Sequence, residues 1–159
     1  RDAGHLAAQE LVLRLARAHG RNANVELATR PHDPVFFADV VLRDDPQRTL
    51  MLIEIVNRAG DLGATARSSD RKAAELGRFA ILAGGDDGPY RVARGWLLVD
   101  TAANRRLVAS YPEVLRTRHP GSSTAWARAI ADGSLPPTES AIAWIDPRSG
   151  RIFPMHWRT

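Results

Sequence analysis

The sequence predicts a single α/β domain in which a mixed sheet is flanked by helices. Segments with helical periodicity, at residues 3–19 and from 61 to about 83, enclose several apolar strand-like runs, and a further strand-like run follows at 90–100. The 159 residues are 44% hydrophobic and show no linker, so they can bury one core. We therefore expect one domain over residues 1–159, with the order α-β-β-β-α-β followed by α-α-β-β.

The first half of the chain begins with a helix and continues with strands. Apolar side chains recur at helical spacing in residues 3–19, and Gly20 is suited to end this helix. Residues 25–28 alternate as in a short strand, and a turn with two prolines follows. The next two runs, 37–42 and 50–56, are predicted to be apolar strands joined by a turn-rich segment.

The second half begins with a longer helix. Asp61 is suited to cap this helix, which runs to about residue 83, where a glycine-rich segment ends it. The patterns beyond that segment predict a strand, two helices and a hairpin, in the order 90–100, 101–119, 122–132, and 140–145 paired with 151–157.

The composition excludes several classes of protein. No apolar run approaches the roughly twenty residues of a transmembrane helix, so we expect no membrane partner. The absence of cysteine excludes a disulfide framework and a thiolate zinc site, and it fits a cytoplasmic protein. The formal net charge of +4 arises from residues 101–159. This surplus either attracts phosphate groups or belongs to an ordinary solvated surface.

Two acidic residues lie inside the neighbouring apolar strands. Asp39 is in the run 37–42, and Glu54 is in the run 50–56. A carboxylate is costly to bury unless it has a partner or a metal. Because Mg²⁺ takes oxygen ligands from one or two carboxylates, Asp39 and Glu54 together predict a possible Mg²⁺ site.

The order of elements, with Asp on the second strand and Glu on the third, resembles the core of the PD-(D/E)xK, or restriction-endonuclease-like, superfamily. Residues 52–64 (LIEIVNRAGDLGA) and 67–72 (RSSDRK) resemble the C-terminal domain of a group of bacterial Xre-like helix-turn-helix regulators. Further similarity is found at 104–108, 111–112 and 119–126. The resemblance implies DNA as a partner of the full-length protein and an N-terminal helix-turn-helix domain that precedes Arg1.

The resemblance also implies which residues form the catalytic site. A competent site of this superfamily has Asp followed by Glu-x-Lys, but residue 56 of this chain is Val. Lys72, the only lysine in the sequence, could supply the missing cation from the helix after the strand, as related families do. Lys72 could instead form a fixed ion pair with Glu75 or with Glu54.

Other candidates surround this predicted centre. Asn57, Arg67 and Arg71 could contact nucleic acid, although Asn57 could equally cap a turn. Glu10 on the first helix could be an accessory acid, or it could be a solvated helix residue. Trp126 lies between two arginines in the sequence and could flank a nucleic-acid or partner surface.

Two functions follow from these patterns. The first is a regulatory, DNA-associated domain of a helix-turn-helix transcriptional regulator, with a degenerate nuclease-like site and a possible role in homodimer formation. The second is an active Mg²⁺-dependent DNA endonuclease, in which Asp39 and Glu54 hold the metal and Lys72 supplies the cation.

Overall fold

The computed structural model of the protein describes residues 3–24, 37–58 and 60–157, without the side chains of residues 24 and 37–39. In these ranges the fold is mixed α/β, with a six-stranded sheet flanked by helices. The predicted strand at 25–28 and the turn after it lie outside the described residues.

The six strands are ordered in the sheet as they are in the chain. They are β1 (Asn22–Asn24), β2 (Phe37–Asp44), β3 (Thr49–Val56), β4 (Arg91–Val99), β5 (Ala141–Asp146) and β6 (Arg151–Pro154). The pairs β1–β2, β2–β3 and β5–β6 are antiparallel, whereas β3–β4 and β4–β5 are parallel. Parallel neighbours need a long crossover connection, and helices provide both of those here.

The helices are α1 (Ala3–Ala18), α2 (Leu62–Gly84), α3 (Ala102–Ser110), α4 (Pro112–Arg118) and α5 (Ser123–Asp132). The predicted cap of α2 is confirmed, because the Asp61 side chain accepts a hydrogen bond from the backbone N–H of Ala64 at 3.1 Å. This cap satisfies a donor that the first turn of the helix would otherwise leave unpaired.

The two faces of the sheet are covered by different helices. Met51, Ile53 and Ile55 of β3 face α1 and α5 in the largest core cluster. Because side chains alternate along a strand, the even-numbered residues of β3 face the other way, and Leu52 packs there against Leu76 of α2. Glu54 belongs to this second face.

The elements from β2 onward follow the predicted order, whereas β1 (Asn22–Asn24) was not predicted and one predicted helix is wrong. The segment 101–119 forms two helices, α3 and α4, rather than one. Pro112 begins α4, and proline disfavours helical geometry in the residue before it, so Tyr111 interrupts the helix.

Trp126 is a core residue and does not flank a surface as the sequence suggested. Its side chain is 0% exposed, and its indole N–H donates a hydrogen bond to the Trp96 carbonyl at 3.1 Å. Gly95 leaves the space for this ring, because a Cβ at that position would lie 2.6 Å from a Trp126 ring atom.

Among the described helices, none combines the length and the hydropathy that a membrane crossing requires.

Candidate functional site

The backbone register brings the two predicted acidic positions side by side. Asp39 on β2 lies directly opposite Glu54 on β3, and Glu54 lies beside Trp96 on β4. Directly opposed residues of an antiparallel pair lie on the same face of the sheet. The positions of Asp39 and Glu54 therefore share the α2 face, whereas the Asp39 side chain lies outside the described part of the structure.

Lys72 meets Glu54 across the interface between α2 and the sheet. The Lys72 Nζ is 3.4 Å from the Glu54 Oε1, and the two side chains are 3% and 1% exposed. Ser68, one helical turn before Lys72, is also buried on this face of α2. Of the two partners considered for Lys72, the structure thus places Glu54 in contact with it.

Residue 56, where the resemblance predicted a lysine in a competent site, is apolar. Val56 is fully buried in a cluster with Trp96, Leu98 and Leu115. An ammonium group at residue 56 would be buried among these apolar side chains, which is costly without a partner. The cation of this site therefore comes from the helix and not from the strand.

A second polar network lies on the same face and was missed in the sequence. The Arg94 guanidinium donates hydrogen bonds to the Ser69 hydroxyl at 3.0 Å and to the Asp70 carboxylate at 2.7 Å. Arg118 of α4 also donates to Asp70, and to the carbonyl of Ala66 at 3.2 Å. Burial opposes ionisation of Asp70, but the hydrogen bonds from Arg94 and Arg118 hold its pKa below the ordinary value.

These hydrogen bonds connect α2 to β4 and to α4, close to Lys72 in the sequence of α2. A signal for this network was present in the sequence, because Arg94 is a charged residue inside the mostly apolar β4. The partners on α2 and α4 could not be identified from spacing, since Arg94, Asp70 and Arg118 are far apart in the chain.

His119 lies next to Trp96, which neighbours Glu54. The two rings have their centroids 4.5 Å apart, and the Nδ1 of His119 is 2.9 Å from the Ser140 hydroxyl. Burial, followed by the positive charges of Arg118 and Arg94, lowers the pKa of His119 to about 3. The imidazole is therefore neutral at physiological pH.

The remaining candidates lie at different places. Arg67 is exposed and Arg71 is half-buried, both on α2 near Lys72 in sequence. Asn57 is half-buried at the end of β3, where it lines a surface cavity. Glu10 is exposed on α1, which packs on the opposite face of the sheet, so the structure does not bring Glu10 to Glu54.

Asn104 is a positioning residue that the sequence analysis did not single out as one. Its side chain is buried, and its Nδ2 lies within hydrogen-bonding distance of the carbonyls of Val99, Val56 and Asn57, at 2.8, 3.1 and 3.2 Å. Asn104 thus connects the end of β3 with the end of β4. The point of contact on β3, the carbonyl of Val56, is two residues after Glu54.

The described residues include no group of three or more His, Asp or Glu side chains that could hold a metal ion. The positions of Asp39 and Glu54 could offer two carboxylates to a hard cation such as Mg²⁺. Comparisons of the chain with protein-family models, with curated proteins and with solved structures find no match.

Proposed function

We propose that this chain is a DNA-associated regulatory domain with a restriction-endonuclease-like architecture and a degenerate nuclease-like site. The order of elements supports the proposal, because antiparallel strands precede α2 and a parallel β4 follows it. The observation that carries it is the enclosure of the Glu54–Lys72 pair, in which both side chains are nearly inaccessible. A phosphodiester could reach them only if α2 moved away from the sheet.

The pair has a structural consequence. The ammonium of Lys72 offsets the carboxylate of Glu54, and each group makes the burial of the other less costly. In a hydrolytic site the lysine would instead offset charge on the substrate. Val56 occupies the position of the lysine in the motif, and Lys72 holds α2 against β3 through its ion pair with Glu54.

DNA contact in this proposal comes from the surface near the start of α2. Arg67 is exposed there, Arg71 is half-buried one turn later, and Asn57 precedes the helix. Arginine and asparagine side chains bind phosphate oxygens by hydrogen bonds that are independent of base sequence. The homodimer remains a prediction, which sedimentation of the purified domain can test.

The alternative function is a Mg²⁺-dependent DNA endonuclease. The observation in its favour is that Asp39 is opposite Glu54 in the register while Lys72 is 3.4 Å from Glu54. Asp39 and Glu54 would hold the ion, which would polarise the phosphate and activate a water molecule. Lys72 would then offset the negative charge that develops at the phosphate.

A nicking assay separates the two functions. Supercoiled plasmid is incubated with the domain and Mg²⁺ or Mn²⁺, and titration calorimetry measures metal binding in parallel. The proposal predicts no metal-dependent nicking above the level of the Asp39→Ala variant. Nicking that requires metal and is lost in Asp39→Ala, but is kept in the exposed-acid control Asp86→Ala, would establish the endonuclease instead.

A second experiment tests the contact with DNA. Fluorescence anisotropy of a labelled duplex measures affinity over a range of salt concentrations, and log affinity should fall by about 0.9 per phosphate contact for each unit of log salt. Arg67→Gln should reduce this slope by about one unit. Arg78→Gln, an exposed arginine further along α2, is the control and should leave the slope unchanged. A flat salt response would exclude DNA as the partner.

A further inference from the structure

A surface crevice lies at the edge of the sheet where the parallel strands end. A cavity of about 650 Å³ is lined there by Asn57 and Arg58 after β3, by Asp100 after β4 and by Arg148 after β5. The first turn of α3 closes one side of it. Because β3, β4 and β5 are parallel neighbours, the residues that follow them meet at this edge of the sheet.

The charges of this cavity favour an anion. Three arginines, Arg58, Arg105 and Arg148, line it together with two acids, Asp100 and Asp146. Both acids already have partners inside the protein, since Arg105 donates to the two Asp100 oxygens at 2.6 and 2.7 Å. The carboxylate of Asp146 accepts hydrogen bonds from the Ser149 hydroxyl and the Arg148 backbone N–H.

The guanidinium groups of Arg58 and Arg148 therefore remain available to a ligand, and the positive charge of Arg148 also acts on the carboxylate of Asp146. Both side chains are exposed, and neither forms an ion pair with another residue in the described part of the chain. Guanidinium groups bind phosphate in a planar, two-pronged geometry. A phosphate group fits both the charge and the position of this cavity.

An aromatic groove adjoins the cavity. It has a volume of about 400 Å³ and shares Arg105 with the cavity. Its walls include Trp144 and Trp157, both half-buried, together with Val108 and Pro112 of the α3–α4 region. Indole rings stack on nucleobases with little preference for sequence.

We propose that the cavity and the groove together bind a nucleotide unit. The phosphate lies between Arg58 and Arg148, the base stacks in the groove of Trp144 and Trp157, and Arg105 lies between the two parts. The unit is either a free mononucleotide or an unpaired nucleotide of a strand. Neither Glu54 nor Lys72 lines this site, so it does not rest on the degenerate centre of the proposed function, although it shares Asn57 with the proposed DNA-contacting surface.

Quenching of tryptophan fluorescence tests the proposal with defined probes. The purified chain is titrated with AMP, UMP and a single-stranded oligothymidylate, and adenosine and inorganic phosphate serve as the two halves of the ligand. Either the mononucleotides or the oligonucleotide should quench with a Kd below about 1 mM, and each half should bind more weakly. The tighter of the two complete probes identifies the source of the nucleotide.

Variants assign the two parts of the site. Arg148→Gln should lower the affinity for the complete ligand about tenfold, because a charge-assisted hydrogen bond is lost. Trp157→Leu should lower the affinity for the complete ligand and leave the binding of inorganic phosphate unchanged. Arg116→Gln, an exposed arginine on α4, is the control. Circular dichroism verifies that each variant is folded, and Arg58→Gln is a second phosphate-side test.

Either of two results would overturn the proposal. One is that none of the complete probes changes the fluorescence up to about 1 mM. The other is that binding is the same in Arg148→Gln, Arg58→Gln and the control, which would mean that the ligand lies elsewhere.

Discussion

Replacing Lys72 by methionine removes the ammonium group that faces Glu54 and keeps most of the side-chain volume. The Glu54 carboxylate, which is 1% exposed, would then lose the cation 3.4 Å away. Removing one partner of a buried ion pair costs about 3–5 kcal/mol, because the remaining charge stays buried. We expect a loss of this size in the free energy of unfolding of Lys72→Met.

Urea unfolding followed by circular dichroism measures the loss. With a slope of about 2 kcal/mol per molar urea, the midpoint should fall by roughly 2 M. Arg78→Met is the matched control, since it removes an exposed cation from the same helix. It should change the free energy of unfolding by less than about 0.5 kcal/mol.

A double-mutant cycle with Glu54→Gln isolates the pair. Because the double variant removes both charges, it should be more stable than the sum of the two single losses predicts, with a coupling of about 1–3 kcal/mol. A Lys72→Met variant as stable as Arg78→Met, or a coupling close to zero, would show that the ion pair does not stabilise the fold.

Three further substitutions test other parts of the structure. Gly95→Ala should lower the free energy of unfolding in urea by about 3 kcal/mol, because its Cβ would lie 2.6 Å from the Trp126 ring and would also clash with the backbone carbonyl of Ala141. Arg21→Lys should lower the free energy of unfolding by about 2 kcal/mol. The Arg21 guanidinium donates two hydrogen bonds, of 2.6 and 2.9 Å, to carbonyls in the last turn of α5, and an ammonium group cannot reproduce this forked geometry. His119→Gln should flatten the acid dependence of stability. The unfolded chain protonates this imidazole near pH 6.5 and the folded chain only near 3, so its contribution falls by roughly 1.4 kcal/mol per pH unit as the pH drops through that window.

Each of these variants has a control and a contrary result. Gly77→Ala, at an open position in α2, should be neutral or slightly stabilising, and equal stability of the two alanine variants would contradict the packing argument. Arg17→Lys, at an exposed position on α1, should leave the stability unchanged. An equal loss in Arg17→Lys would mean that the forked geometry of the Arg21 guanidinium does not contribute to stability. His156→Gln, which removes an exposed imidazole, is the matched control, and a His119→Gln curve parallel to that of the wild-type chain would refute the titration argument.

Local patterns predicted much of the fold correctly. The long helix α2 and its Asp61 cap followed from helical periodicity and a capping residue type. The C-terminal hairpin followed from two apolar runs around a turn. These features are determined by residues close together in the chain. The boundary between α3 and α4 also had a local signal, Pro112, but a helical pattern on both sides obscured it.

The site was predictable only in part, because its contacts cross between distant elements. The acids on neighbouring strands suggested a register, and Lys72 was a candidate because no other lysine exists in the chain. The choice of Glu54 over Glu75 as its partner depended on how α2 packs on β3. The three carbonyls near Asn104 likewise come from the end of β4, the end of β3 and the residue after β3, and no pattern in the sequence connects them.

The most direct test of a degenerate site is a crystal structure of the domain soaked in Mn²⁺, with anomalous scattering used to locate the ion. We expect no ion beside Glu54 and a Lys72 Nζ that remains about 3.4 Å from the Glu54 Oε1. A Mn²⁺ ion bound by both Asp39 and Glu54, with Lys72 displaced, would contradict this expectation and favour the endonuclease.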